Sequence, residues 1–378
     1  MNPVFRAIAF VCLLANPLNV LQSTAAEPIK IGEIASLTGK EAAFGQSAHK
    51  GTLLAIEELN AADGVLGRQL KLITEDNQTK AGESATAARK LISRDQVVAL
   101  LGEVASSRSL EIAPIAQTSK IPLVSPASTN PKVTAVGSYV FRVCFIDPFQ
   151  GTVMAKFARE DLGLRRVALL TSVSSAYSVG LSKFFKERFL SDGGEIAIEQ
   201  KYSEGDKDFR AQLTAIKATG VGGIFIPGYY SEAALIAKQA RELGITAALF
   251  GGDGWEAPQL MAIGGAALEG CYYSTHYSAE DTAPAVQNFV KNYQARFDGE
   301  MPDAMAALGY DSAFVLADAI KRAGSTAPDA LRAALASTRD FVGVTGKTTI
   351  DADRNAAKSA VVVAIKYGRI NFFKSVAP

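Results

Sequence analysis

The strongest constraint on this chain is an alternation of short apolar runs with segments of helical periodicity, restarting once in mid-chain. From Ile29, IKIGEIAS reads as a strand. Residues 46–62 carry apolar side chains at helical spacing and stop at Asp63-Gly64. QLKLITED, VVALLGE and IPLVSP read as further strands, separated by helices over 83–95 and 107–119. After YVFRVCF the series begins again. RRVALLTSV, EIAIEQKYS, GGIFIPG and TAALFGG are its strands, with helices over 178–192, 208–219 and 231–243. Repeated strand–helix units demand a parallel sheet with helices on both faces. Two such series predict an α/β protein of two lobes rather than one long sheet. Short extended segments around 141–147 and 271–278 look like crossings between lobes. The remainder is mostly helical (283–297, 303–323, 328–337). It ends in a strand pair over 359–374 turning at Tyr367-Gly368, with a last crossing expected near Gly343–Lys347.

The first residues stand apart from that pattern. Arg6 is the only charge before Glu27, and the apolar stretch AIAFVCLLANPLNVL leads to Ser23-Thr-Ala-Ala26. This is the layout of a secretory signal peptide, residues 1–26, with cleavage expected after Ala26. The stretch is too short and interrupted for a spanning helix, and Cys12 comes too early to be a lipidated N-terminal cysteine. Of the 39 basic residues Arg6 falls in this leader, so the remaining 38 balance 38 acidic ones. Nothing in that balance argues for nucleic acid. Cys144 and Cys271 both fall in apolar runs; buried free thiols are the simpler reading, and export leaves a disulfide between them open.

Catalytic and metal chemistry find little support. The two histidines, His49 and His276, lie far apart in sequence and offer no zinc spacing. Gly346-Lys347-Thr348 lacks the earlier glycine of a phosphate loop, since Phe341 stands there. No nucleophile–base–orienter set assembles, so neither an enzyme nor a cofactor is expected.

Four polar stretches each follow a strand-like run: Gly102–Ser107 (GEVASS), Ser125–Asn130 (SPASTN), Gly228–Ser231 (GYYS) and Gly252–Trp255 (GDGW). In open α/β sheets, ligands sit outside the carboxyl ends of the strands. Ser106 and Ser107 open a helix, where hydroxyls stand beside free amides and the positive dipole end, a site suited to a carboxylate. The next loop adds Ala127, Ser128 and Thr129, with a hydroxyl donor at Thr129 and a backbone acceptor near Ala127. From the second series, Asp253 can pair with an ammonium group. Tyr177, Tyr229 and Tyr230 supply flat faces with hydroxyls. Phe44 is a candidate wall for a side chain. An α-amino acid needs such a division of acceptors and donors. Trp255 either covers the mouth or packs beneath the loop.

Taken together these motifs resemble the leucine/isoleucine/valine-binding protein family, the type I solute-binding proteins of amino-acid and amide ABC importers. The resemblance runs from IKIGEIASLTGKEAAFGQS through GEVASS, SPASTNP, FRVCFIDPFQG, YSEGDKDFRAQLTAIKA, PGYYSEAALIAKQARELGI and GGDGW to VGVTGKTTIDADRNAAKSAVVV. It implies two Rossmann-like lobes joined by a three-segment hinge, residues 27–145 with 278–343 and residues 146–277 with 344–378. It also implies a periplasmic monomer that captures an amino acid or amide between the lobes and delivers it to a membrane permease. Ser106 and Thr129 match the family's carboxylate-binding hydroxyls and Ala127 its backbone contact. Tyr177 and one of Tyr229 or Tyr230 match its cleft aromatics. Asp253 stands where the aliphatic binders carry a glutamate, Phe44 where they carry a tryptophan, and Ala105 where a disulfide cysteine sits. The alternative expectation is a ligand-sensing receptor component of the same fold, signalling through a separate membrane partner.

Overall fold

A computed structural model describes residues 26–378; the expected leader, residues 1–25 of it, lies outside the described residues. The first series forms β1 (Ile29–Ala35), α1 (Ala42–Ala61), β2 (Leu70–Asp76), α2 (Glu83–Ser93), β3 (Ala99–Leu101), α3 (Ser106–Ser119), β4 (Leu123–Ser125), α4 (Lys132–Ala135) and β5 (Val140–Arg142). Its five strands are parallel, in the order β2-β1-β3-β4-β5. β1, β3, β4 and β5 are buried along nearly their whole length, as helices on both faces require.

The chain crosses at Val143–Ile146 into α5 (Asp147–Lys156) and the second series. There follow β6 (Arg166–Ser172), α6 (Ala176–Ser191), β7 (Glu195–Tyr202), α7 (Arg210–Ala218), β8 (Gly223–Phe225), α8 (Tyr230–Glu242), β9 (Ala248–Gly251), α9 (Pro258–Gly264) and β10 (Tyr272–Thr275). β10 pairs parallel to β9, so this segment is a strand of the second sheet, and the crossing comes only after it. The helices α10 (Pro284–Arg296), α11 (Ala304–Ala323) and α12 (Pro328–Ala336) return to the first lobe, with α11 against α1. That contact is close because both helices present glycine. A Cβ on Gly51 would sit 1.9 Å from the Ala306 carbonyl oxygen, and one on Gly309 would sit 2.2 Å from that of Ala48.

A small antiparallel sheet comes next: β11 (Phe341–Gly343), β12 (Gly346–Ile350) and β13 (Ala356–Ala357). The segment near Gly343–Lys347, expected as a crossing, holds the hairpin turn between β11 and β12, where Gly343 pairs with Gly346. The chain rejoins the second sheet at β14 (Ala360–Lys366), antiparallel to β10, and ends in β15 (Arg369–Val376). The turn between them is Tyr367-Gly368, both at positive φ, the geometry of a two-residue hairpin. The second sheet therefore has seven strands, β15-β14-β10-β9-β8-β6-β7. Two lobes thus share three connections, and the loops at the carboxyl ends of β3, β4, β8 and β9 meet between them. Cys144 and Cys271 are buried and unpaired among the described residues, and burial raises both thiols to about 12.

Candidate functional site

Six sequence-predicted residues line one cavity between the lobes: Phe44, Ser106, Ala127, Tyr177, Tyr229 and Asp253. Val104, Gly254 and Met305 complete its wall. The lobes are closely apposed, and the cavity measures about 10 Å³. A larger space of about 550 Å³ lies at the hinge, beside Tyr277, Val286, Val361 and Phe372. It lies outside the four loops, so convergence of polar groups from both lobes favours the small cavity as the functional one.

On the first-lobe side, Ser106 is the first residue of α3, after the extended Ala105. Its Oγ accepts from the Asn130 amide at 3.2 Å, which ties the GEVASS and SPASTN loops together. Beneath them, buried Glu103 accepts from the Ser36 and Ala105 amides and from the Asn77 side chain. The Thr129 hydroxyl is buried without a hydrogen-bond partner among the described residues. It lies near the Asp147 carboxyl, whose two oxygens are likewise buried and unpartnered. Burial raises Asp147 to about 8, with Asp253 adding to the rise.

On the second-lobe side, Asp253 opens a short 3-10 turn, Asp253–Trp255. Its Oδ1 accepts from Gln150 Nε2 at 2.8 Å, and its Oδ2 lies 3.0 Å from His276 Nε2. Gln150 Nε2 also donates to Ser274 at 3.0 Å. His276 is buried against Phe145, with ring centroids 3.7 Å apart. Burial lowers its pKa, so the ring is neutral and its Nε2–H donates to Asp253, leaving the carboxylate charge uncancelled. A single net negative charge beside apolar rings suits one ammonium group. Tyr177 stacks on Tyr229 (5.4 Å, 10°), and Phe44 meets Tyr229 edge-on at 5.3 Å. The Tyr177 hydroxyl accepts from the Gly254 amide at 3.1 Å. Glycine is required at position 254, because a Cβ there would come within 3.0 Å of both tyrosine rings.

Four predicted residues are placed elsewhere. The Ser128 hydroxyl bonds Ser109 and the Glu103 and Val104 carbonyls, inside the first lobe. Ser107 accepts from the Ala176 amide at 3.0 Å, a bond across the lobes at the rim. Tyr230 also bridges the lobes, donating to the Lys40 carbonyl at 2.9 Å. Of the neighbouring tyrosines, Tyr229 thus lines the cavity and Tyr230 latches its edge. Thr129 lies behind the lining beside Asp147. Trp255 is fully buried under its loop and donates to the Ile226 carbonyl at 2.9 Å.

Gln150, His276, Asp147 and Met305 were not expected in the site. His276 obeys the same positional rule as the four loops, since it follows β10 at its carboxyl end. Reading that segment as a crossing concealed it. Gln150 and Asp147 sit on α5, directly after the chain has crossed over from β5, so no strand of their own lobe precedes them.

A family profile described as periplasmic binding protein matches residues 28–369. A leucine-, isoleucine-, valine-, threonine- and alanine-binding protein of Pseudomonas aeruginosa is 30% identical over 315 residues, covering 83% of each chain. The crystal structure of a leucine-binding protein from Thermotoga maritima superposes with a TM-score of 0.89 at 44% identity, over 93% of this chain and 99% of that one. A branched-chain amino acid transporter substrate-binding protein from Streptococcus pneumoniae, in complex with isoleucine, gives 0.88 at 33% identity, over 93% and 100%. Two lobes of flanked sheets, a three-part hinge, a cleft lined from both sides and a match over residues 28–369 lead to one conclusion: the chain belongs to the periplasmic binding protein family.

Proposed function

We propose that this chain captures an α-amino acid between its lobes and hands it to an ABC importer, without changing it chemically. The observation that carries the reading is the division of the cavity wall. The first lobe offers the Ser106 hydroxyl at the start of a 14-residue helix, where free amides favour a carboxylate. The second offers Asp253, pinned by a neutral histidine, for an ammonium. Phe44, Tyr177, Tyr229 and Met305 face the remaining volume and favour the alkyl part of a side chain. Ser106, Ala127 and Asp253 are the assigned contacts to the amino-acid backbone, with Thr129 reached through a small shift of its loop.

The lobes are assigned as 27–142 with 284–336 and 147–275 with 360–376. The small sheet at 341–357 belongs to the hinge. The protein acts outside the cytoplasmic membrane as a monomer, after cleavage following Ala26. N-terminal sequencing of secreted material checks that site and is expected to begin at Glu27.

Titration calorimetry of the mature chain against free amino acids, amides and aromatic acids tests the function. Binding of zwitterionic amino acids, with 2-oxo acids and benzoates far weaker, is the expected result. At one hundred times its dissociation constant the ligand stabilises the fold by about 2.7 kcal/mol. Equal binding of acids lacking the amino group would overturn the Asp253 assignment.

A further inference from the structure

Beyond the ring pair of Phe44 and Tyr229 lies a second polar set that the amino-acid backbone does not use. It is built from both lobes: Glu41 ahead of α1, Arg108 on α3, Glu204 after β7, and the Tyr229 hydroxyl. Each contributes a buried atom with no hydrogen-bond partner among the described residues: Glu41 Oε2, Arg108 Nε, Glu204 Oε1 and Tyr229 OH. Glu41 is 2% exposed, Arg108 8% and Tyr229 7%. Ser175 approaches the Tyr229 hydroxyl without completing a hydrogen bond. Arg108 Nε stands 4.0 Å from Glu41 Oε2, too far to bond directly. A buried polar group left unpaired is costly, so four in one place call for a partner that satisfies them.

The Tyr229 ring links this box to the cavity. The ring lines the cavity, while the hydroxyl feels the charges of Glu41 and Glu204. A ligand side chain laid along the ring therefore runs from one to the other. We propose that the box is a side-chain subsite for a primary carboxamide or similar neutral group that both donates and accepts. Its two N–H groups face Glu41 Oε2 and Glu204 Oε1, and its carbonyl accepts from Arg108 Nε and Tyr229 OH.

The charges choose a neutral group over a cation. Arg108 already pairs with Glu111 at 2.6 Å, and Lys40 with Glu204 at 2.8 Å. Burial raises Glu41 to about 8, helped by Glu103 and Glu204, so it is largely neutral near pH 7. The box then carries no net charge to offset the desolvation of an ammonium.

This proposal rests on the amino-acid reading above, and one calorimetric series separates the two. L-glutamine is compared with L-methionine, L-asparagine with L-leucine, and both carboxamides with L-lysine. One of the carboxamides is expected to bind at least about tenfold tighter than its apolar counterpart and than lysine, a difference of about 1.4 kcal/mol. Glu41→Val and Arg108→Leu are each expected to erase that preference while leaving leucine affinity within a few-fold. Leucine or methionine binding the wild type as tightly as the carboxamides would overturn the proposal. So would tighter lysine binding, or a preference that survives both substitutions. A chain that bound no α-amino acid would sink the broader reading and this one with it.

Discussion

Asp253 is held from two sides, and each contact has its own energetic role. The neutral His276 positions the carboxylate without discharging it, and Gln150 satisfies the other oxygen. Asp253→Ala removes the charge that faces the ligand's ammonium. Truncating one member of a buried charged pair costs about 2–5 kcal/mol, so affinity should fall by roughly 30-fold or more while the thermal melt of the ligand-free chain barely moves. His276→Ala keeps the carboxylate but frees it to turn. A loss of about 1–3 kcal/mol in binding is expected, and calorimetry on both variants checks the order. At this scale the residue types were legible and their directions were not. Ser128 and Thr129 are adjacent, yet one hydroxyl is spent on the Glu103 carbonyl and the other has no partner among the described residues. Loop residues have no fixed period, so only the packing around them decides which one faces the ligand.

At the scale of elements, the alternation of strands and helices was readable because parallel strands buried on both faces must be apolar throughout. The structure changed the role of two segments. Tyr272–Thr275, extended and short enough to look like a crossing, is a strand because β9 and β14 flank it and satisfy its backbone. The tail forms its own hairpin at Gly343–Gly346 before rejoining the second sheet. Helix packing is equally specific. Gly309→Ala would drive a methyl into the Ala48 carbonyl, and overpacking of this kind costs about 1–3 kcal/mol. Urea denaturation should register that loss with an unchanged m-value. An unchanged midpoint would show that α1 and α11 can separate freely.

Across the whole molecule, acids gather where the lobes meet. Glu41 faces Glu204, Glu103, Arg108 and Lys40, and is raised to about 8 by burial first and by those carboxylates second. Glu256, on the second lobe, accepts from the Ala304 amide and faces Asp303; burial and Asp303 raise it to about 7. Opening the lobes would return both to water and to ordinary carboxyl values near 4.5. An acid whose pKa is higher in the closed form favours closure while it is protonated. That contribution is complete below about 4.5 and is lost as pH rises through 7 to 8. Ligand binding should therefore take up protons near pH 6, and affinity should weaken between pH 5 and 8. Calorimetry in buffers of different ionisation enthalpy measures the uptake, and Glu41→Gln with Glu256→Gln should reduce it. Binding with no proton uptake would show that closure leaves these acids solvated.

The sequence by itself determined most of the elements, their grouping into two series and the chemistry offered at strand ends, because period, capping and charge are local properties. The tertiary structure decided which of those groups converge. It chose Tyr229 over Tyr230 for the cavity, set His276 and Gln150 on Asp253, and closed Glu41 against Glu204. Such choices depend on how two sheets far apart in sequence pack and on which polar atoms burial leaves unpaired. Those are properties of the assembled interface between the lobes, and no single segment carries them.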